Sequence, residues 1–228
     1  MLESAEALAA RIQKRFGASI DACRVSGAEV TVEVGAQNLR SLCTSLRDEE
    51  EFAFAQLVDL CAVDYLEFGR ADWETSESAT NEGFSRGVEV REDRQEATDL
   101  SRYVVVYHLL SHTHNQRLRL RTEATGDPPC VDSVVDIWNC ADWFEREAFD
   151  LYGVLFDGHP DLRRILTDYG FIGHPFRKDF PLIGEVEVRY DPEKRRVVNE
   201  PVSIQARTLV PRVIRHDQRY ADDESSDA

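Results

Sequence analysis

The chain has 228 residues, 42% apolar and 31% charged. That is enough for one compact domain plus an extension or small second unit, and too mixed for a fibrous or low-complexity protein. Forty-three acidic against 27 basic residues leave a formal charge of −16, which argues against a general nucleic-acid binder because phosphate would be repelled. The longest largely apolar stretch, YVVVYHLL from Tyr103 to Leu110, is far shorter than the roughly 20 residues that span a bilayer, so no transmembrane helix is expected.

The N-terminal MLESAEALAARIQKRFG has acids first, bases last and apolar residues at Leu2, Ala5, Ala9, Ile12 and Phe16. This reads as an amphipathic helix ending at Gly17 and not as a signal peptide, which points to a cytoplasmic protein. Two strands follow, joined at Ser26-Gly27; in the second, Val30, Val32 and Val34 alternate with Glu29, Thr31 and Glu33 up to Gly35, the period of a half-buried strand. Leu39, Leu42, Cys43 and Leu46 recur at helical spacing, and QLVDLCAVDYL, apolar on both faces, is expected to be a central strand.

From Glu67 to Leu100 the period is lost. This stretch holds ten acids against four arginines and is broken by Gly69, Gly83 and Gly87, the composition of a solvated acidic insertion over 67–100. RYVVVYHLL and RLRLRTE, joined by SHTHNQ, predict a hairpin on the sheet. After GDPP, the segment DSVVDIWNCADWFEREAFDLYG reads as helix. Asp142 is the expected N-cap with Glu145 at capping-box spacing, Trp143, Phe144, Ala148, Leu151 and Tyr152 form the expected buried stripe, and Gly153 is the expected stop.

The chain after Gly153 holds six of the eight prolines and 12 basic against 14 acidic residues, while residues 1–153 hold 15 against 29. Leu162, Ile165, Leu166, Tyr169, Phe171, Phe176, Phe180, Leu182 and Ile183 make it too apolar for a free linker. The predicted organisation is an α+β head over 1–153, a mixed sheet packed with helices, followed by a long extended C-terminal tail over 154–228. Such a tail must lie on this head or, as the better reading, on a partner subunit. The last eight residues, ADDESSDA, read as an acidic frayed end.

Several constellations could carry chemistry. His108, His112 and His114 share parity, but the last two fall in the hairpin turn and no carboxylate or cysteine completes a metal set. Glu145, Arg146, Glu147 and Asp150 resemble an acid/base cluster, yet Arg146 stands four residues before Asp150 and would keep that carboxylate ionised, so intrahelical pairing or a subunit contact is the better reading. The five cysteines, at 23, 43, 61, 130 and 140, contain no C-x-x-C pair, so neither a disulfide framework nor a cluster-ligand run is visible. Cys140 is the one thiol near a helix start, where a lowered pKa is conceivable, but no base accompanies it. Glycine-rich nucleotide loops and the G-x-S-x-G elbow are absent, so any cofactors would lie elsewhere.

EREAFDLYGVLFDGHPDLRRIL, from Glu145 to Leu166, resembles the signature of the C-subunit of respiratory NADH-quinone oxidoreductase, complex I, the 30-kilodalton subunit family. Its elements are present at Glu145, Arg146, Glu147, Asp150, Leu151, Tyr152, His159, Arg163, Ile165 and Leu166. The continuation TDYGFIGHPFRKDFPLIGEVEVRYD, which holds Lys178 and Asp179, is also similar, as are LVDLCAVDY and VVYHLLSHTHNQRLRLR, while ARTLVPRVIRHD looks most like proteobacterial members. The resemblance implies a peripheral-arm subunit with an α/β head and a long C-terminal segment wrapped over the D-subunit, near subunits B and I, on the cytoplasmic side of the inner membrane. It implies a complex that passes electrons from NADH through FMN and iron–sulfur clusters to quinone and pumps protons. FMN and the clusters would sit in partner subunits, with no cofactor, metal or catalytic residue in this chain. Glu145, Arg146, Glu147, Asp150, His159, Arg163, Arg164, Lys178 and Asp179 are then signature or interface residues. Some relatives are fused to the D-subunit; this chain stops at Ala228 and is expected to be a separate subunit.

Two other readings compete. Related subunits occur in membrane-bound hydrogenases and in dehydrogenases with other electron donors. A free-standing enzyme using Glu145, Glu147 or the histidines would need a pocket and perturbed pKa values.

Overall fold

The computed structural model describes residues 4–66, 68 and 101–204, together with the backbone of 73–75 and 88–90. The first helix, α1 (Ala5–Phe16), starts at Ser4, whose hydroxyl accepts the N–H of Ala7, and buries Leu8, Ile12 and Phe16. Strands β1 (Ala22–Ser26) and β2 (Glu29–Glu33) form the expected antiparallel pair, and α2 (Ala36–Asp48) buries Leu39, Leu42, Cys43 and Leu46. Then come β3 (Gln56–Asp64), the short antiparallel pair β4 (Trp73–Thr75) and β5 (Val88–Val90), and the hairpin β6 (Tyr103–Ser111) and β7 (Gln116–Glu123). The pair β4–β5 falls within the acidic insertion expected over 67–100; the rest of that insertion, apart from Phe68, lies outside the described residues.

Strands β1, β2, β7, β6 and β3 form one sheet in that order. Only β2 and β7 run parallel, with Val30 opposite Leu118 and Val32 opposite Leu120, so the sheet is mixed and the fold is α+β. One face carries Val30, Val32, Val105, Tyr107, Leu109, Leu118 and Leu120, which join the buried stripes of α1 and α2 in one core. Each such fully buried apolar side chain contributes roughly 2 kcal/mol. Strand β3 is an edge strand and not the expected central one. Its apolar residues are covered because the third helix, α3 (Ala141–Tyr152), packs against it.

Helix α3 begins two residues earlier than it would with Asp142 as its cap. Cys140 is the N-cap, in helical conformation and without a side-chain cap bond. The preceding turn supplies the acceptors instead, since the N–H groups of Ala141 and Asp142 donate to the carbonyls of Trp138 and Asn139. Gly153 ends the helix as expected, in the left-handed region at φ 76°, its N–H donating to the carbonyl of Phe149. The expected stripe is corrected as well: Trp143 is 66% exposed, while Glu145 and Asp150 are fully buried beside Ala148 and Leu151.

One compact unit comprises residues 1–66 and 99–181 and so continues past Gly153. Within it β8 (Cys130–Asp132) pairs in parallel with β9 (Leu155–Asp157), and Val154 and Phe156 enter the core. A second unit comprises 67–98 and 182–228. There, β10 (Val186–Asp191) and β11 (Arg196–Pro201) form an antiparallel hairpin, held partly by Arg189 against Glu200. Among the described residues, no helix is long and apolar enough to cross a membrane.

Candidate functional site

The signature residues gather on α3 and on the irregular chain that runs back across it. At the first turns, Glu145 has no exposed surface; its Oε2 accepts from the Ser133 hydroxyl at 2.7 Å and its Oε1 from the Val134 N–H at 2.8 Å. Burial pushes the Glu145 carboxyl up to about 7, against the pull of those two donors, and the carboxylates of Asp142 and Asp136 add to the rise. The His159 imidazole is wholly buried, with Nε2 3.1 Å from Asp142 Oδ1 and 4.0 Å from Glu145 Oε2. Its Nδ1 accepts the N–H of Asp161 at 3.0 Å, which leaves Nε2 as the donor towards Asp142.

Asp150 belongs to the last turn. Its Oδ1 receives Arg164 Nη1 at 2.9 Å and the Thr167 hydroxyl, and its Oδ2 receives the N–H groups of Ile165, Leu166 and Thr167 at 3.0, 2.8 and 2.8 Å. Burial alone would raise this carboxyl. The hydroxyl and the three backbone donors outweigh it and hold Asp150 well below the usual carboxylate range. The Arg146 partnership expected from helical spacing is not formed. Arg146 instead donates to the carbonyls of Arg163 at 3.1 Å and Arg164 at 3.2 Å, so one helix residue holds the chain by its oxygens while Asp150 holds it by its N–H groups. Arg163 itself turns outward to Asp161, both sides of that pair being exposed.

The end of α3 leaves carbonyls without intrahelical partners, and the returning chain supplies donors. His174 Nδ1 lies 2.9 Å from the carbonyl of Asp150, the Phe176 N–H 3.1 Å from that of Leu151, and Arg177 Nε 2.6 Å from that of Tyr152. A Cβ on Gly153 would sit 2.4 Å from Arg177 and 2.6 Å from His174, so the close approach needs glycine as much as the backbone angle does. Arg177 also lies over the Tyr103 ring. Beyond it, Asp64 anchors the chain once more. Its buried carboxylate takes Arg102 at 3.1 Å through both oxygens and the backbone N–H of Lys178 at 2.9 Å, while Asp179 meets Arg102 at 2.9 Å.

The sequence points to nine residues at this site. Glu145, Arg146, Asp150, His159, Arg163 and Arg164 come together around α3; Lys178 and Asp179 are fixed at Asp64 and Arg102; Glu147 is exposed. Sequence reasoning misses Ser133, Thr167, His174 and Arg177, whose partners are distant or backbone atoms. It also misses Asp64 and Arg102, although a lone carboxylate closing an apolar strand is a readable signal. His112 and His114 point to different partners, Gln56 and the carbonyl of Glu50. No group of three or more His, Cys, Asp or Glu able to hold a metal occurs among the described residues. Cys140 is exposed, and burial of its sulfur pushes the thiol up instead of activating it.

The family model described as respiratory-chain NADH dehydrogenase, 30 Kd subunit, matches residues 32–186, the span that contains most of the sheet and every residue placed above on α3. The chain is 58% identical over 210 residues to the C-subunit of NADH-quinone oxidoreductase from Coxiella burnetii, covering 92% of each chain. It is 59% identical over 198 residues to the corresponding C-subunit from Legionella pneumophila strain Corby, covering 87% of each. Its fold is similar, at TM-score 0.53 and 20% identity, to a chain of the membrane-bound sulfane sulfur reductase, an archaeal respiratory membrane complex, over 78% of this chain and 86% of that one. With the signature residues in place on a matching sheet, the chain belongs to the family of the 30 Kd subunit of respiratory-chain NADH dehydrogenase.

Proposed function

We propose that this chain is a structural and assembly subunit of the peripheral arm of a proton-pumping NADH-quinone oxidoreductase, without a redox centre of its own. In this reading FMN and the iron–sulfur clusters reside in partner subunits. The chain lies against the D-subunit above all, with B and I nearby, and reaches the cytoplasmic side of the bacterial inner membrane through the complex alone. The residues from 182 onward extend over the partner as a tail.

The observation that carries this reading is how the signature charges are used. Glu145, Arg146 and Asp150 are occupied with their own chain, and the returning segment that they hold presents Leu166, Tyr169, Ile172 and Phe176, all more than half exposed. An apolar run of that kind on a chain of −16 charge suits a permanent partner surface better than water. Affinity purification of the complex with mass spectrometry tests it. This chain should co-purify in equal amount with the subunits that carry flavin and clusters, and purified alone it should show neither a flavin spectrum nor stoichiometric iron. A chain that purifies alone from the native membrane fraction, or one that carries its own flavin, would overturn the proposal. Hydrogen exchange should show the residues beyond 182 becoming protected only in the complex.

A further inference from the structure

The exposed side of α3 and the segment clamped beside it enclose a groove of about 800 Å³. Trp143, Phe144, Ile165 and Leu166 line it with apolar surface, Glu147 stands on its rim and Cys140 at one end. Trp143 is 66% and Leu166 63% exposed, on a molecule that buries a glutamate two residues after that tryptophan. The groove is also pre-formed. Its second wall is the backbone at Ile165, Leu166 and Thr167, fixed through three N–H bonds to Asp150, so little ordering is left for binding to pay for.

Charge decides what fits. Glu147 is exposed and forms no ion pair among the described residues, whereas Asp142, the other carboxylate lining the groove, already meets His159. A second copy of this chain would bring like carboxylates together at the rim of two bodies that each carry −16, which disfavours self-association through this face. We infer that the groove is the docking site for a short amphipathic segment of another subunit, which sets an aliphatic or aromatic side chain against Trp143 and Leu166 and a lysine or arginine against Glu147. This rests on the assembly role proposed above.

Cys140, exposed at the groove, is the reporter. Maleimide labelling read at the peptide level should be at least tenfold slower at Cys140 in the purified complex than in the isolated chain. With p-benzoylphenylalanine in place of Trp143, the assembled complex should cross-link to a segment of a different subunit that combines apolar residues with lysine or arginine. Glu147→Arg should lower recovery of the chain with the complex about tenfold and Glu147→Gln only two- to threefold. Both variants should keep the wild-type denaturation profile when isolated, since Glu147 is exposed. Undiminished labelling of Cys140 in the complex, a cross-link to residues 205–228 of the same chain or to a second copy, or full recovery of Glu147→Arg would each overturn the inference. If the wild-type chain enters the complex while Cys140 stays open, the groove alone is refuted; if it never enters, the assembly role falls with it.

Discussion

Glu145 and Asp150 stand five residues apart on one helix, both fully buried, and their surroundings drive them in opposite directions. Glu145 meets two donors, a hydroxyl and one backbone N–H, with Asp142 and Asp136 nearby; Asp150 meets five, including a guanidinium and three consecutive backbone N–H groups. Burial penalises the charged form of each, so the number and charge of the donors decides the outcome. The difference separates two kinds of joint. The last turns of α3 are clamped by an ionised carboxylate to the chain at 164–167, whereas the first turns rest on a carboxyl that takes up a proton near neutrality.

The largest effect is expected from breaking the ionised joint. Asp150→Ala leaves Arg164 and three N–H groups without their acceptor and should cost about 3–5 kcal/mol, read by urea denaturation, with faster amide exchange at 165–167. Because the Asp150 carboxyl is held below its ordinary value, its contribution is present above that value and is lost as pH falls through the folded-state pKa.

Glu145 has the opposite sign. Its carboxyl is raised from 4.5 to about 7, so the folded state binds the extra proton between those values and stability falls as pH rises through them, by about 3 kcal/mol in all. His174 opposes this trend, since burial lowers its pKa and its charging in acid costs stability. The comparison with Glu145→Gln isolates the carboxyl. Above pH 7 the variant should exceed wild type by about 1–3 kcal/mol, and the gap should close towards pH 4.5. A gap that does not change with pH would mean that the Glu145 carboxyl is not raised on folding, and the contrast with Asp150 would lose its basis.

The same pair of residues marks where local sequence stops informing. Periodicity locates α1, α2 and the β6–β7 hairpin, because each buries one face through residues at regular spacing. It misplaces the phase of α3, because hydrophobic rank puts a tryptophan inside and a glutamate outside, and the donors that reverse this, Ser133 and Val134, lie 12 and 11 residues back. Helical spacing assigns Asp150 to Arg146, but the side chain that reaches it comes from 14 residues further on. Strand β3 looks central in sequence because its second flank is covered by a helix instead of a strand. The family resemblance names these residues, while the bonds that occupy them require the fold.

Two smaller perturbations sharpen the picture of the clamp. Arg146→Ala removes the two bonds to the carbonyls of Arg163 and Arg164 without stranding a buried charge, since water can replace a partly exposed donor. It should cost about 1–2 kcal/mol and should lower the amount of assembled complex more than the turnover of each complex that forms. Full assembly with abolished turnover would place Arg146 in the chemistry instead. Arg163→Ala is expected to do least. Arg163 belongs to the same signature, yet among the described residues its guanidinium meets only Asp161 two residues away, with both side chains about 60% exposed. Exposed pairs gain little, because water screens them and ordering two long side chains offsets the attraction. The isolated chain should therefore keep its denaturation midpoint, and any loss would appear only as weaker recovery with the complex. A shifted midpoint would mean that Arg163 anchors the fold as Asp150 does, and the division between charges that hold this chain and charges left for a partner would have to be redrawn.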